Sequence, residues 1–336
     1  MKAVIFDAVG EPLRVETRPD PAPGADEVVL RVAGCGICGS DLHITEDPAT
    51  FGVGAGSVLG HEISGEVVAV GRDVTALQLG DGVAVAPMRG CGQCARCLAG
   101  DPARCPSMQL IGGGYAEYVT VAARQCRRMP ADVALADGAL AEPLSVALHC
   151  IVRSGMMPGD RVAIVGAGPI GLLVAFWARR MGASHVVVAD IQSHQRERAL
   201  ALGATGFAMS GEGLAENLTD LCEGPPDIVF ECVGKRGLLQ AASQAVRPQG
   251  KVIGVGLCIG GDDWDPFIAL SKEIDLNFSV FFHQKNEFGV ALDALTSGIP
   301  QKLITDRIGL SPVPQVFESL RRRTTQCKVL IQPEFS

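Results

Sequence analysis

Within Gly34-Cys35-Gly36-Ile37-Cys38-Gly39-Ser40-Asp41-Leu42-His43, and again in Gly60-His61-Glu62, a thiol, an imidazole and a carboxylate stand beside glycines in polar surroundings. Zinc takes S, N and O ligands, and a zinc site that does chemistry leaves one position for water or substrate. Cys38, His61 and Glu62 therefore read as the ligands of an open zinc. Ser40 and His43, two and five residues past Cys38, are close enough to hand on a proton. A second cluster, Cys91-Gly92-Gln93-Cys94-Ala95-Arg96-Cys97 followed by Cys105, can wrap one tetrahedral metal with no open position. Such a closed site is structural, and its metal affinity counts as folding free energy for a lobe with little core. Disulfides or an iron–sulfur cluster are the rival uses of the four thiols.

A third pattern lies further along. The apolar run Arg161-Val162-Ala163-Ile164-Val165 leads into Gly166-Ala167-Gly168-Pro169-Ile170-Gly171, which opens a helix over 172–181. A strand over 185–189 then ends in Asp190, 24 residues after Gly166. Strand, glycine loop, helix and acid in this order predict a dinucleotide site, with the pyrophosphate at the helix N-terminus. Asp190 would accept hydrogen bonds from a ribose diol and repel a 2′-phosphate, which favours NAD over NADP. An open zinc, a relay and a dinucleotide loop in one chain predict oxidation of an alcohol, with hydride passing to the nicotinamide.

The elements that must position these groups fit 336 residues divided into two domains. Hydrophobic residues at 47% and charged residues at 20% describe an ordinary globular chain, and the net charge of −8 argues against nucleic acid and anionic membranes as partners. The N-terminal segment reads as a strand, with no apolar signal core or cleavage site. Apolar runs fall short of the ~18 residues of a membrane span. The cytoplasm is the expected location, and there the twelve cysteines stay reduced and available to metals.

Short apolar runs in residues 1–33, 63–70 and 81–86, broken by glycine and proline, predict a small, twisted, mostly antiparallel β domain carrying the zinc loop. Residues 135–155 read as helical around Pro143. Glu142, just before that proline, is either an acid favoured by the helix dipole or a partner of the metal. From 161 onward strands alternate with helices at 227–234, 238–246 and 250–256, which predicts a parallel doubly wound sheet. Its turns at 232–234 and 255–257 should line the cofactor cleft. A last strand at 276–282, a helix at 287–295 and β structure over 297–336 complete the expectation. The run Arg321-Arg322-Arg323 reads as a solvated face, His149 on its apolar helix as a core histidine, and His185 and His194 as solvated.

Together these motifs resemble the zinc-dependent medium-chain dehydrogenase/reductase family. GCGICGSDLH at 34–43, GHE at 60–62, CxxCxxCx7C at 91–105, GGYAEY at 113–118 and GAGPIGLL at 166–173 match in order over essentially the whole chain. EPLSVALH at 142–149 is similar to the polyol (sorbitol), butanediol and threonine dehydrogenase branch, and the cysteine ligand of liver-type alcohol dehydrogenases has no counterpart there. The resemblance implies an α/β protein in two domains. One is a GroES-like, mostly antiparallel β catalytic domain (1–148 and 286–336, with a structural zinc lobe at 88–108). The other is a doubly wound, parallel-sheet Rossmann domain (149–285). It implies zinc-dependent, reversible oxidation of a secondary alcohol or polyol to the ketone with NAD, using one catalytic and one structural Zn2+.

By the same resemblance, Cys38, His61 and Glu62 stand at or beside the zinc, Glu142 either ligates it or holds its water, and Ser40 and His43 form the relay. The implied cofactor positions are Gly166, Gly168, Pro169, Ile170, Gly171, Asp190, Val255, Gly256, Leu257, Phe281 and Phe282. Gln195 falls where a basic residue often meets the adenosine ribose. The connection from Cys105 to Gly113 is shorter than in many relatives, which implies a more open substrate mouth. The last sheet strand often pairs across a two-fold axis, so a homodimer or homotetramer is expected. Two rivals are a zinc-independent quinone or enone reductase of the same architecture and a non-catalytic binding protein. The metal-ligand cysteines speak against the first, and intact Ser40, His43 and Glu142 against the second.

Overall fold

The computed structural model describes residues 1–322 and 325–335. The chain forms two compact units, Met1–Glu142 with His283–Ser336, and Pro143–Phe282.

In the first unit the strand Lys2–Phe6 pairs with Arg14–Thr17 and Ser57–Val58. A larger sheet runs in the order Cys126–Arg128, Gly82–Val85, Glu62–Val70, Glu27–Gly36, Lys328–Ile331, Ile304–Ile308, with Tyr118–Ala122 also on Glu27–Gly36. Val28, Leu30 and Val32 share the core face while Arg31 faces out, and Val29 on the opposite face is buried as well. Neighbours are antiparallel except the last pair, Ile304–Ile308 with Lys328–Ile331. Parallel strands need a crossover, and the helix Val313–Leu320 supplies it. That helix departs from the expectation of β structure throughout 297–336. Its buried Val313 and Phe317, four apart, carry the helical spacing.

The second unit is a six-stranded parallel sheet, ordered Gly206–Met209, His185–Asp190, Arg161–Val165, Ile228–Glu231, Lys251–Gly254, Asp275–Phe278. Val162 to Val165 are at most 1% exposed, as a central strand with both faces covered requires. The last strand stops at Phe278, earlier than the expected 282. Phe281 adopts φ +59, a left-handed conformation that breaks the extended run, and Phe282 turns fully into the interior.

Residues 135–154 form a 3-10 turn, Leu135–Leu140, continued by the helix Ala141–Ser154. This stretch passes for a membrane span by length and composition alone, but 83% of its most apolar 18-residue window is buried in protein, so its apolar character is that of a core helix, in keeping with the expectation of no span.

Candidate metal and dinucleotide sites

The strand Glu27–Gly36 delivers the chain to Cys38, which caps the helix Gly39–Glu46. Its antiparallel neighbour begins at the same end, because Gly36 pairs with Glu62. This register gathers Cys38, His61 and Glu62, whose ligand atoms lie within 4.8 Å of one another. Any side chain at Gly36 would collide with the Glu62 carboxylate.

His61 is buried, and its Nδ1 faces Asp41 Oδ1 at 3.3 Å. Asp41 also accepts from the Cys38 backbone N–H (3.0 Å) and the Tyr115 hydroxyl (2.7 Å). Burial works to raise the Asp41 carboxyl, but the imidazole and these donors hold it below the usual carboxylate range. A carboxylate on Nδ1 leaves Nε2 free for a metal, as second-layer partners of ligating histidines do. Glu62 and Lys328 are each 1% exposed and joined, Lys328 Nζ donating to both carboxylate oxygens (2.7 and 2.8 Å) and to Ile37 O (3.0 Å).

Sequence reasoning missed Asp41, Tyr115 and Lys328. Asp41 carried a signal, three residues after the cap where an acid reaches back to the cap N–H. Tyr115 stood inside GGYAEY without a role. Lys328 gave no local sign.

Glu142 opens the helix Ala141–Ser154 and is buried, but it stands outside the three-residue ligand group. Burial pushes its carboxyl up to about 7, with His61 opposing and Glu62 adding to the rise. Because this lies above the free-acid value of 4.5, the folded state binds more protons than the unfolded one between the two values. Through Glu142, the stability of the metal-free protein should therefore fall as pH rises from about 4.5 to about 7; His61, which burial works to lower but Asp41 holds well above the usual imidazole value, extends the fall to higher pH. Glu142→Gln should remove up to about 3 kcal/mol of that fall, read from urea midpoints at several pH values. An unchanged profile would refute this burial effect. Ser40 and His43 lie on the helix Gly39–Glu46, with the His43 side chain 38% exposed.

In the lobe, the sulfurs of Cys91, Cys94, Cys97 and Cys105 lie within 4.8 Å of one another, and none is in a disulfide. Backbone N–H groups of Cys91 and Ser107 donate to Cys105 Sγ, that of Cys94 to Cys91, and that of Cys97 to Cys94, at 3.3–3.5 Å. The N–H groups of Gln93 and Cys94 bring the Cys91 thiol down to about 6, favouring thiolate. Arg124 anchors the lobe, pairing with Asp26 (2.6 Å) and donating to Gly90 O (3.1 Å).

In the second unit, Gly166 takes φ +105 at the end of Arg161–Val165, and Pro169 starts the helix Pro169–Arg180. Nothing lies within 4 Å of where a Gly168 side chain would point, leaving that backbone open to a ligand. Ile170 and Gly171 form the first turn of the helix, and Gly171 packs against Gly166 O. Asp190 Oδ2 accepts the Ala167 N–H (2.8 Å) and Oδ1 that of Gln192 (2.9 Å), tying the acid to the loop. Gln195 is buried, with its oxygen on Arg198 (2.5 Å). The N–H groups of Val255 and Gly256 donate to Glu231 O, and Leu257 is 47% exposed.

The donor sets suit zinc: an S, N, O trio for an open ion and four thiols for a closed one. A chain that carries the open trio in one unit and a glycine-loop parallel sheet in the other is, by class, a metal-dependent dehydrogenase. Comparison with known proteins sharpens the class. The alcohol dehydrogenase GroES-like domain matches residues 24–131, and the zinc-binding dehydrogenase domain matches 169–297. Sorbitol dehydrogenase of Bacillus subtilis (strain 168) is 33% identical over 347 residues, covering 99% of this chain and 97% of that protein. The crystal structure of 2R,3R-butanediol dehydrogenase from Bacillus subtilis superposes with a TM-score of 0.89 at 28% identity over 99% of each chain. An alcohol dehydrogenase from E. coli CFT073, solved with the cofactor NADH, gives 0.89 at 27% over 99% of each. This chain belongs to the zinc-dependent medium-chain dehydrogenase/reductase family. It is a zinc-type alcohol dehydrogenase, similar over nearly its whole length to polyol dehydrogenases, and its two donor sets fit zinc.

Proposed function

We propose that the protein oxidises a neutral secondary alcohol or polyol to the ketone, reversibly, in the substrate class named by its sorbitol and butanediol dehydrogenase relatives. The gathering of Cys38, His61 and Glu62 within 4.8 Å carries the reading. Bound zinc supplies a Lewis acid that lowers the pKa of a hydroxyl. Cys38 and His61 hold the ion, with Glu62 completing or backing the set from its pair with Lys328. Glu142 holds water or the alcohol. Ser40 and His43 pass the hydroxyl proton toward solvent. Gly166, Gly168, Pro169, Ile170 and Gly171 cradle the pyrophosphate at the helix N-terminus. Val255, Gly256, Leu257 and Phe281 bound the nicotinamide half, with Phe282 packed in the interior behind them, Asp190 takes the adenosine ribose, and Gln195 packs beneath it. The test is an NADH-absorbance screen of sorbitol, 2,3-butanediol and simple secondary alcohols with zinc-loaded protein. Failure of every alcohol would remove the reading.

Asp190→Ser should raise the NADP-to-NAD ratio of kcat/KM by roughly ten- to a hundredfold, because a carboxylate against a phosphate is a costly like-charge contact. A wild type that already prefers NADP would overturn the assignment. The cytoplasm is the proposed location, supported by twelve free thiols. A homo-oligomer is proposed because Asp275–Phe278 is an edge strand that ends in exposed Phe278 and is flanked in the chain by Phe267, Leu270 and Val280, all four at 57–75% exposure. Sedimentation should give at least twice the 35.1 kDa chain mass, reduced by Phe278→Lys. A monomeric wild type would remove the proposal.

A further inference from the structure

Of the arginine run at 321–323, Arg323 lies outside the described residues, and Arg321 is not the solvated side chain its composition suggests. It follows the helix Val313–Leu320 and reaches across to the helix Gly39–Glu46. Its Nη2 donates to Thr45 Oγ1 (2.7 Å) and its Nη1 to Glu46 Oε1 (3.0 Å) and Leu42 O (3.5 Å). Its Nε donates to Glu318 Oε2 (2.9 Å), and its guanidinium carbon lies 5.4 Å from the ring centroid of buried Phe317. The side chain is only 26% exposed. The other oxygen of Glu46, Oε2, stands 3.4 Å from His43 Nδ1, one helical turn back.

The four groups thus alternate as imidazole, carboxylate, guanidinium, carboxylate. A carboxylate at Nδ1 favours the tautomer with its proton there and leaves Nε2 as the proton acceptor. An acid behind a histidine does the same work in proton-transfer triads. Glu46 is 56% exposed, and an exposed carboxylate alone would explore many rotamers. The planar fork of Arg321, itself fixed by Thr45, Leu42, Glu318 and Phe317, restricts it.

We propose that Glu46 and Arg321 are positioning residues for proton exit. Glu46 sets the ring orientation and tautomer of His43, and Arg321 holds Glu46 in place. The inference rests on the reading of Ser40 and His43 as the relay. One proton passes from the alcohol hydroxyl through Ser40 to His43 Nε2 and then to water or buffer, so nothing is oxidised or reduced at these residues.

The test compares kcat and KM for the fastest alcohol in the screen, with and without added imidazole. The variants are His43→Ala, Glu46→Gln, Arg321→Met and the double variant His43→Ala/Glu46→Gln. His43→Ala should lose about a hundredfold in kcat, and imidazole should restore part of it. Glu46→Gln and Arg321→Met should each lose roughly three- to fivefold in kcat, the range open to partly exposed pairs. KM for the alcohol and for NAD should stay constant, and imidazole should rescue these losses too. Adding Glu46→Gln to His43→Ala should cost nothing further, since both act through one ring. A structural role alone would leave the losses additive and unrescued. Wild-type kcat in His43→Ala would overturn the relay reading and this inference with it. A slow, rescued His43→Ala beside full-speed Glu46→Gln and Arg321→Met, or additive losses, would overturn this inference alone. Should Arg321→Met fail to fold, Glu46→Gln, at an exposed position, decides.

Discussion

Cys38→Ala protein should turn over alcohol at less than about a thousandth of the wild-type rate. A bound metal lowers a hydroxyl pKa by several units, and each unit of lost stabilisation is worth about tenfold in rate. Without the Cys38 sulfur only His61 and Glu62 remain of the trio, and both oxygens of Glu62 are already shared with Lys328. The backbone N–H of Cys38 still reaches Asp41, so the helix Gly39–Glu46 keeps its cap. The dinucleotide loop belongs to the other unit and is untouched. NADH binding followed by fluorescence should therefore match wild type, while bound zinc falls from about two ions to about one per chain. Full turnover in this variant would sink the metal reading.

Lys328→Met should destabilise the first unit by about 3–5 kcal/mol, the cost of removing one partner from a buried ion pair. Lys328 and Glu62 are each 1% exposed, so no water replaces the lost ammonium, and Ile37 O loses its donor as well. Much of the loss should return in the double variant Lys328→Met/Glu62→Gln, because a neutral amide is far cheaper to bury than an unpaired carboxylate. Urea midpoints of the two metal-free proteins decide the matter. Equal midpoints would show that the unpaired charge is not the source of the cost.

Features carried by neighbours in the chain were legible. Four cysteines in CxxCxxCx7C gather as their spacing suggests, since short gaps let successive sulfurs turn toward one point. The loop 166–171 sits between strand and helix with Asp190 tied back to it, because strand, turn and helix signals are all local. Two local readings failed. The helix Val313–Leu320 has only eight residues and starts beside prolines, so its period is short. The strand at 275–278 ends where Phe281 goes left-handed, a conformation no aromatic residue announces. The choice between Glu62 and Glu142 could not be made from spacing; Glu62 lies with Cys38 and His61 within 4.8 Å, while both of its oxygens also accept from Lys328.

The sequence by itself determined which chemistry this chain carries: zinc-type ligands, a closed cysteine cluster and a dinucleotide turn, each written within a few neighbouring residues or in one strand–turn–helix unit. Only the tertiary structure decided what surrounds and orients them. Tyr115 reaches Asp41 across 74 residues, Lys328 reaches Glu62 across 266, and Arg321 reaches Glu46 across 275. Contacts at that range follow from strand order, register and crossover, which arise when the whole core is buried at once and leave no periodic trace along the chain.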